Sequence, residues 1–186
     1  MSEIIIGVTG PARSGKNEVA KYLQKYHAFH EDSFAAPIRQ ACINTLGLKG
    51  LEELDVVKQI PQPLFGGKTP REFMQLMGTE FGRNMIYEPI WVDSCLARCG
   101  GFERVVISDV RFNNEAEAII EKNGIIIKVD RPSVRIEQSS HQSESGIRPE
   151  YITFEIINDA TLDNLYSQIE VTMKKIFKLI YEGIPS

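Results

Sequence analysis

Short, wholly apolar runs alternate along the chain with longer stretches in which apolar residues return at helical spacing. That alternation predicts an α/β fold, a parallel sheet of about five strands flanked by helices. The first strand is expected from Glu3 to Val8, where Ile4, Ile5 and Ile6 run without a polar break because a central parallel strand is covered on both faces. Val19, Leu23 and Tyr26 then mark a helix behind a glycine-rich turn, a weak strand is expected over 28–31, and another helix opens near Pro37. From Gly47 to Gly67 glycines punctuate the chain without a clear period. The signal sharpens at Thr69, where an N-cap threonine, Pro70 at the first helical position and Glu72 three places after the cap form a capping box. A helix of about a dozen residues should follow, ending at Arg83.

Pro89 breaks the pattern, and Ile90 to Arg98 reads as a helix closed by Gly100 and Gly101. Val105 to Ser108 is the next buried strand, with Asp109 where it ends. Ala116, Ile119 and Ile120 mark a helix stopped by Asn123 and Gly124, and Ile125 to Val129 is again strand. Residues 131–146 turn polar and lack core positions. Phe154 to Ile157 returns to strand, and Thr161 caps a terminal helix with the apolar stripe Leu165, Ile169, Met173, Ile176 and Ile180. No repeat or linker divides the chain, so residues 1–186 are expected to form one domain.

Composition narrows the class. At 186 residues, 42% hydrophobic and 25% charged, the sequence matches ordinary globular domains, which excludes a disordered or fibrous chain. No apolar run approaches the roughly 18 residues of a membrane span, and the N-terminus lacks a basic leader, so the cytosol is the expected location. The net charge of −4 removes bulk attraction to nucleic acid, and any phosphate site must be built locally. Cys42, Cys95 and Cys99 are too few for a disulfide framework. Cys95 and Cys99 lie a helical turn apart, but no second pair completes a metal site, and buried thiols are expected.

The strongest chemical motif is Gly10-Pro11-Ala12-Arg13-Ser14-Gly15-Lys16-Asn17, a GxxxxGK loop that follows an apolar strand and opens an amphipathic helix. Backbone N–H groups on such a turn, set at a helix N-terminus, create positive potential for phosphate oxygens. Gly10 and Gly15 allow close approach of the backbone, Lys16 adds a point charge for the β and γ phosphates, and Arg13 can reach phosphate as well. Asn17 stands where Ser or Thr usually offers a hydroxyl to Mg²⁺; its amide oxygen can substitute. Asp109, at the carboxyl end of a parallel strand, reads either as a carboxylate for Mg²⁺ or as the cap of the following helix.

A phosphate loop implies a nucleotide, and a second set of cations implies a second phosphate. Arg111 follows Asp109, Arg71 and Arg83 lie at opposite ends of the capped helix, and Arg131 and Arg135 begin the polar excursion. Each alone reads as a solvated surface arginine; together they suggest a cup for another anion.

GPARSGKNEVA, TPREFMQLMGTEFGR, VVISDVRFNNEAEAI, the late HQSE and INDATLDNL, in that order, make the chain resemble the bacteriophage-type deoxynucleoside monophosphate kinases. The layout is also similar to phosphomevalonate kinase, so the acceptor is less determined than the reaction class. The resemblance implies a P-loop nucleoside monophosphate kinase fold with a core sheet, an acceptor-binding helical region at about 34–99 and a lid at about 131–146. It implies that Gly10, Ala12, Arg13, Ser14, Gly15, Lys16, Asn17 and Glu18 hold ATP. Arg71 and Arg111 would take the acceptor phosphate and Gln75 with Thr79 the base or sugar. Arg83, Asp109 and Arg135 would complete the acceptor region, with Arg131 and Arg135 on the lid. Phe34, Trp91 and Phe112 offer stacking faces for a base, with core packing the competing role. His141, Ser143 and Glu144 match the late motif without an assigned task.

The implied reaction is transfer of the ATP γ-phosphoryl group to a deoxynucleoside monophosphate, with Mg²⁺, and with Lys16, Arg13 and Arg131 as the catalytic cations. The acceptor oxygen is already anionic, so His27, His30 and His141 need not supply a base. The expected partners are these small molecules, with no nucleic acid and no membrane, and a homodimer stays open. The resemblance further implies a phage product in host cytoplasm. The rival readings are a kinase of the same fold with another small phosphorylated acceptor, and a nucleotide-binding switch or ATPase subunit that uses no acceptor.

Overall fold

The structure, a computed structural model, describes residues 4–133 and 146–182. Five strands form one wholly parallel sheet: β1 (Ile4–Thr9), β2 (His30–Asp32), β3 (Arg104–Val110), β4 (Ile125–Asp130) and β5 (Phe154–Ile157), in the order β2-β3-β1-β4-β5. The helices are α1 (Lys16–His27), α2 (Ala36–Leu46), α3 (Leu51–Val57), α4 (Pro70–Gln75), α5 (Ile90–Cys99), α6 (Asn113–Glu121) and α7 (Leu162–Glu182). A π-helix, Leu76–Ile86, continues α4 directly. The chain divides into two units, Met1–Ser33 with Cys99–Ser186, and Phe34–Arg98.

In the first unit β1 lies at the centre and is buried along its whole length. Ile4, Ile6 and Val8 meet Val19, Ala20 and Leu23 of α1 and the stripe Leu165, Ile169, Met173 and Ile176 of α7 in one core. Each such aliphatic side chain contributes about 1.5–3 kcal/mol by leaving water. On the opposite face α6 packs so closely that a Cβ on Gly7 would stand 2.8 Å from Ile119 Cδ1. Coverage on both faces accounts for the unbroken apolar runs. Thr161 caps α7 as expected, its Oγ1 accepting the Asn164 N–H at 3.3 Å. Tyr26, the last of the residues that mark α1, is exposed, its ring tilted against that of Tyr22 with centroids 4.5 Å apart.

Topology fixes where a ligand can sit. From β1 the chain passes through α1 to β2, beyond β3; from β3 it passes through α6 to β4, beyond β1. Connections that leave two adjacent strands in opposite directions open a crevice at their carboxyl ends. The pairing also slips there: Gly7 pairs with Ile107 but Thr9 with Val110, so β3 carries an extra residue. This bulge at Ser108–Asp109 corrects the expected strand end. β3 runs on through Val110, and Asp109 lies inside it, buried, because the bulge absorbs one residue before pairing resumes.

The second unit has its own core of Cys42, Ile43 and Leu54, lined by Leu46, Leu48, Phe65, Phe73 and Met74. The stretch without a clear period contains α3 and the 3-10 turn Pro63–Phe65. The capping box at α4 is formed: Thr69 Oγ1 accepts the Glu72 N–H at 3.2 Å, and Glu72 Oε2 accepts the Thr69 N–H at 2.7 Å. The expected single helix to Arg83 is corrected, since regular α winding stops at Gln75. The Gly78 carbonyl accepts the Trp91 indole N–H at 2.7 Å, and the indole lies where a Cβ on Gly82 would be. A side chain inserted into the helical ladder alters its winding, and the result here is a long i→i+5 segment of a rare kind.

Gly82→Ala tests that packing. Alanine would gain about 1 kcal/mol in an ordinary helix, but here the methyl must displace a fused ring, an overpacking cost of about 1–3 kcal/mol. The expected outcome is a thermal midpoint lowered by about 2–4 °C with a shifted emission from Trp91, the sole tryptophan. A variant as stable as the parent with an unshifted spectrum contradicts this account. Cys42, Cys95 and Cys99 are buried and none is in a disulfide. Among the described residues no helix is long and apolar enough to cross a membrane.

Candidate active site

The turn between β1 and α1 takes three residues through the left-handed region, Gly10 at φ 139°, Arg13 at 64° and Gly15 at 109°. Alternation of this kind turns successive backbone N–H groups to one side, making a nest for an anion. A side chain at Gly10 would strike the Val129 carbonyl of β4, and one at Gly15 would come within 2.5 Å of Asn158 Nδ2. Arg13 has no such excuse, and its left-handed backbone is a strained feature of the kind that gathers at ligand sites. Lys16 and Asn17 open α1, so their N–H groups have no intrahelical acceptor, and the helix dipole adds positive potential. Ser14 Oγ is buried with no hydrogen-bond partner among the described residues. A phosphate oxygen would satisfy these groups, and the glycines leave room for it.

Lys16 Nζ donates to the Gly10 carbonyl at 2.7 Å and the Pro11 carbonyl at 2.6 Å, folded back over the loop. Burial, reinforced by the Arg111 cation and opposed by the Asp109 carboxylate, brings the Lys16 ammonium down to about 8. The first unit thus brings Lys16, Asp109 and Arg111 within electrostatic reach of one another, at the mouth of the crevice where β1 and β3 end. Asp109 is buried and Arg111 exposed. The capping role left open for Asp109 falls to Glu115, whose Oε2 accepts the N–H of Arg111 at 2.7 Å and of Phe112 at 3.1 Å. Ala12, Arg13 and Asn17 expose their side chains, and Glu18 pairs with Lys21 at 3.5 Å.

Arg131, just past β4, is exposed, and its N–H donates to Asp130 Oδ1 at 2.8 Å. Arg135, His141, Ser143 and Glu144 lie outside the described residues. In the second unit Arg71 and Gln75 stand on α4, and Thr79 and Arg83 follow on the π-helix, each about a turn from the last. The Arg83 side chain is nearly buried and pairs with Glu88 at 3.8 Å. Phe34 is buried, and Trp91 has its indole N–H committed to Gly78. Two residues that sequence reading passed over hold the first unit's site in shape. Glu115 caps the turn carrying Arg111. Asn158, inside the quoted INDATLDNL stretch, donates its amide N–H to the Ser14 carbonyl at 2.9 Å.

The sequence model of the deoxynucleotide monophosphate kinase family matches residues 66–169, more than half of the chain. A protein of Acanthamoeba polyphaga mimivirus, provisionally named deoxynucleotide monophosphate kinase, is 32% identical over 89% of this chain and 94% of its own. The deoxynucleoside-5'-monophosphate kinase of Escherichia phage T5 is 37% identical over 48% of this chain and 39% of the phage protein, so there the likeness spans less than half of either. Among solved structures, one from Chloroflexus aurantiacus, provisionally described as a kinase, superposes with a TM-score of 0.50 at 14% identity, covering 95% of this chain and 97% of that one. That likeness shows the fold. With a glycine-rich nest at the end of the central strand, a family model matched over more than half of its length and a relative similar along 89% of it, the chain belongs to the deoxynucleotide monophosphate kinase family.

Proposed function

We propose that the protein transfers the γ-phosphoryl group of ATP to a deoxynucleoside 5'-monophosphate. An anionic oxygen of the acceptor phosphate forms the new bond to the γ phosphorus, the bond to the β,γ-bridging oxygen breaks, and ADP leaves with that electron pair. The observation that carries this reading is the first unit's site: an anion nest after β1 beside a carboxylate and a guanidinium at the end of β3, all within reach of Lys16. The names of the mimivirus and phage T5 relatives support the choice of acceptor class.

Phosphoryl transfer needs little covalent help and much charge placement. The nest and Ser14 Oγ bind the β and γ phosphates, and the Lys16 ammonium exchanges its two loop carbonyls for phosphate oxygens. Arg111 binds the acceptor phosphate, so that attacking and leaving oxygens stand in line. Asn17 and Asp109 offer hard oxygen donors suited to Mg²⁺, which when bound would neutralise phosphate charge. Arg71, Gln75, Thr79, Arg83, Phe34 and Trp91 are proposed as acceptor contacts of the 34–99 region, and Arg13, Arg131 and Arg135 as further cations.

The test is an ADP-release assay with ATP, Mg²⁺ and a panel of deoxyribo- and ribonucleoside monophosphates, with phosphomevalonate as a separate arm. Release that depends on a deoxynucleoside monophosphate is the expected result. Release without an acceptor supports an ATPase or switch instead, and release with phosphomevalonate alone reassigns the acceptor.

A further inference from the structure

A side chain from the end of β5 reaches the glycine-rich loop between β1 and α1. Asn158 stands just past β5, 144 positions beyond Ser14, and its Nδ2 donates to the Ser14 carbonyl at 2.9 Å. Its own backbone N–H donates to the Asp130 carbonyl at 2.7 Å, which ties the residue to the end of β4. The Ser14–Gly15 peptide is therefore gripped by a side chain that is itself anchored on the sheet. A trans peptide is planar and holds its C=O and N–H in opposite directions, so a carbonyl fixed toward Asn158 turns the Gly15 N–H the other way.

This peptide would otherwise be easy to turn over. Gly15 has no Cβ and sits at φ 109°, a conformation from which glycine moves at little steric expense. A flipped peptide would present a carbonyl oxygen where the loop needs a donor, converting attraction for phosphate into repulsion. The same amide nitrogen occupies the space that a side chain at residue 15 would require.

We infer that Asn158 is a positioning residue of the phosphate loop, which locks the Ser14–Gly15 peptide with its N–H turned toward the bound polyphosphate. The inference rests on the ATP reading of the loop and is independent of which acceptor is used.

Asn158→Ala removes the grip, and Asn158→Asp keeps the shape but sets a carboxylate against the Ser14 carbonyl. Calorimetric titration of the full chain with ATP and, separately, with inorganic tripolyphosphate reads the effect directly. The expected result is affinity for both ligands lowered roughly tenfold in the alanine variant and further in the aspartate variant, with the KM for the monophosphate unchanged. Equal affinities in parent and variants overturn the proposal. So does a loss confined to ATP, which would place Asn158 against the base, and so does a loss that merely follows a lowered thermal midpoint. A parent chain that binds ATP without transferring phosphate would remove the kinase reading, while the polyphosphate titration still decides the role of Asn158.

Discussion

Lys16→Met is expected to reduce phosphoryl transfer by roughly 10³-fold while leaving the affinity for the monophosphate within about twofold. The methionine keeps the length and much of the packing of the lysine but has no charge to place on the β and γ oxygens. The ammonium donates to the Gly10 and Pro11 carbonyls, so meeting phosphate would exchange hydrogen-bond partners rather than desolvate the group anew. An exchange favours catalysis to the extent that the transition state offers more negative charge than the ground state, and loss of such a contact falls on kcat more than on KM. Turnover unchanged in this variant would remove Lys16 and the loop from the mechanism.

The same lysine sets a pH dependence. Burial brings the Lys16 ammonium down to about 8, and only the protonated form sets a full positive charge against phosphate oxygens. For kcat/KM with respect to ATP, which reports ionisations of the free enzyme and free substrate, the alkaline limb of the profile is expected to pass through half its maximum at about pH 8 and to fall further as the lysine deprotonates. Lys16→Met should abolish that break along with most of the rate. A parent profile that stays level to pH 10 would contradict the lowered value and the burial that causes it.

Local signals in the sequence were legible where one stretch of chain decides its own structure. The capping box at Thr69 and Glu72 needs only neighbouring residues, and the stripe from Leu165 to Ile176 needs only a helix and a core to face. The glycine-rich turn was readable for the same reason, since Gly10 and Gly15 take left-handed backbone within a single strand-to-helix turn. Structure that depends on distant partners was not. The bulge that draws Asp109 inside β3 arises from register against β1, roughly a hundred residues away in sequence, and no periodicity within 105–110 announces it. The π-helix depends on Trp91 taking a carbonyl from Gly78, an arrangement invisible in a pattern that is apolar at helical spacing under either winding. Asn158 lay within a recognised stretch, yet its partner is in the first strand–helix turn, so nothing in its own surroundings marked it out. The expected lid fell mostly outside the described residues, and its role is still carried by the resemblance alone.

Arg111→Ala tests whether the proposed donor and acceptor phosphate sites are distinct. Arg111 is the first residue beyond β3, and its backbone N–H is fixed by the buried Glu115 carboxylate, so truncating the side chain should leave the turn in place. The side chain itself is exposed and can close on a ligand with its planar, two-pronged donor face, the geometry that suits a phosphate. The expected result is a KM for the monophosphate raised roughly 10²-fold, the consequence of losing a charge-assisted pair of hydrogen bonds, with ATP affinity close to that of the parent. A lysine there should restore little of the loss, because a point charge cannot reproduce the paired contact. Arg111 also repels the Lys16 ammonium, so its removal should move the break in the ATP profile to higher pH, a shift that a residue remote from the loop could not produce. Should ATP affinity collapse while the monophosphate KM holds, Arg111 belongs to the donor and the acceptor phosphate must be sought elsewhere.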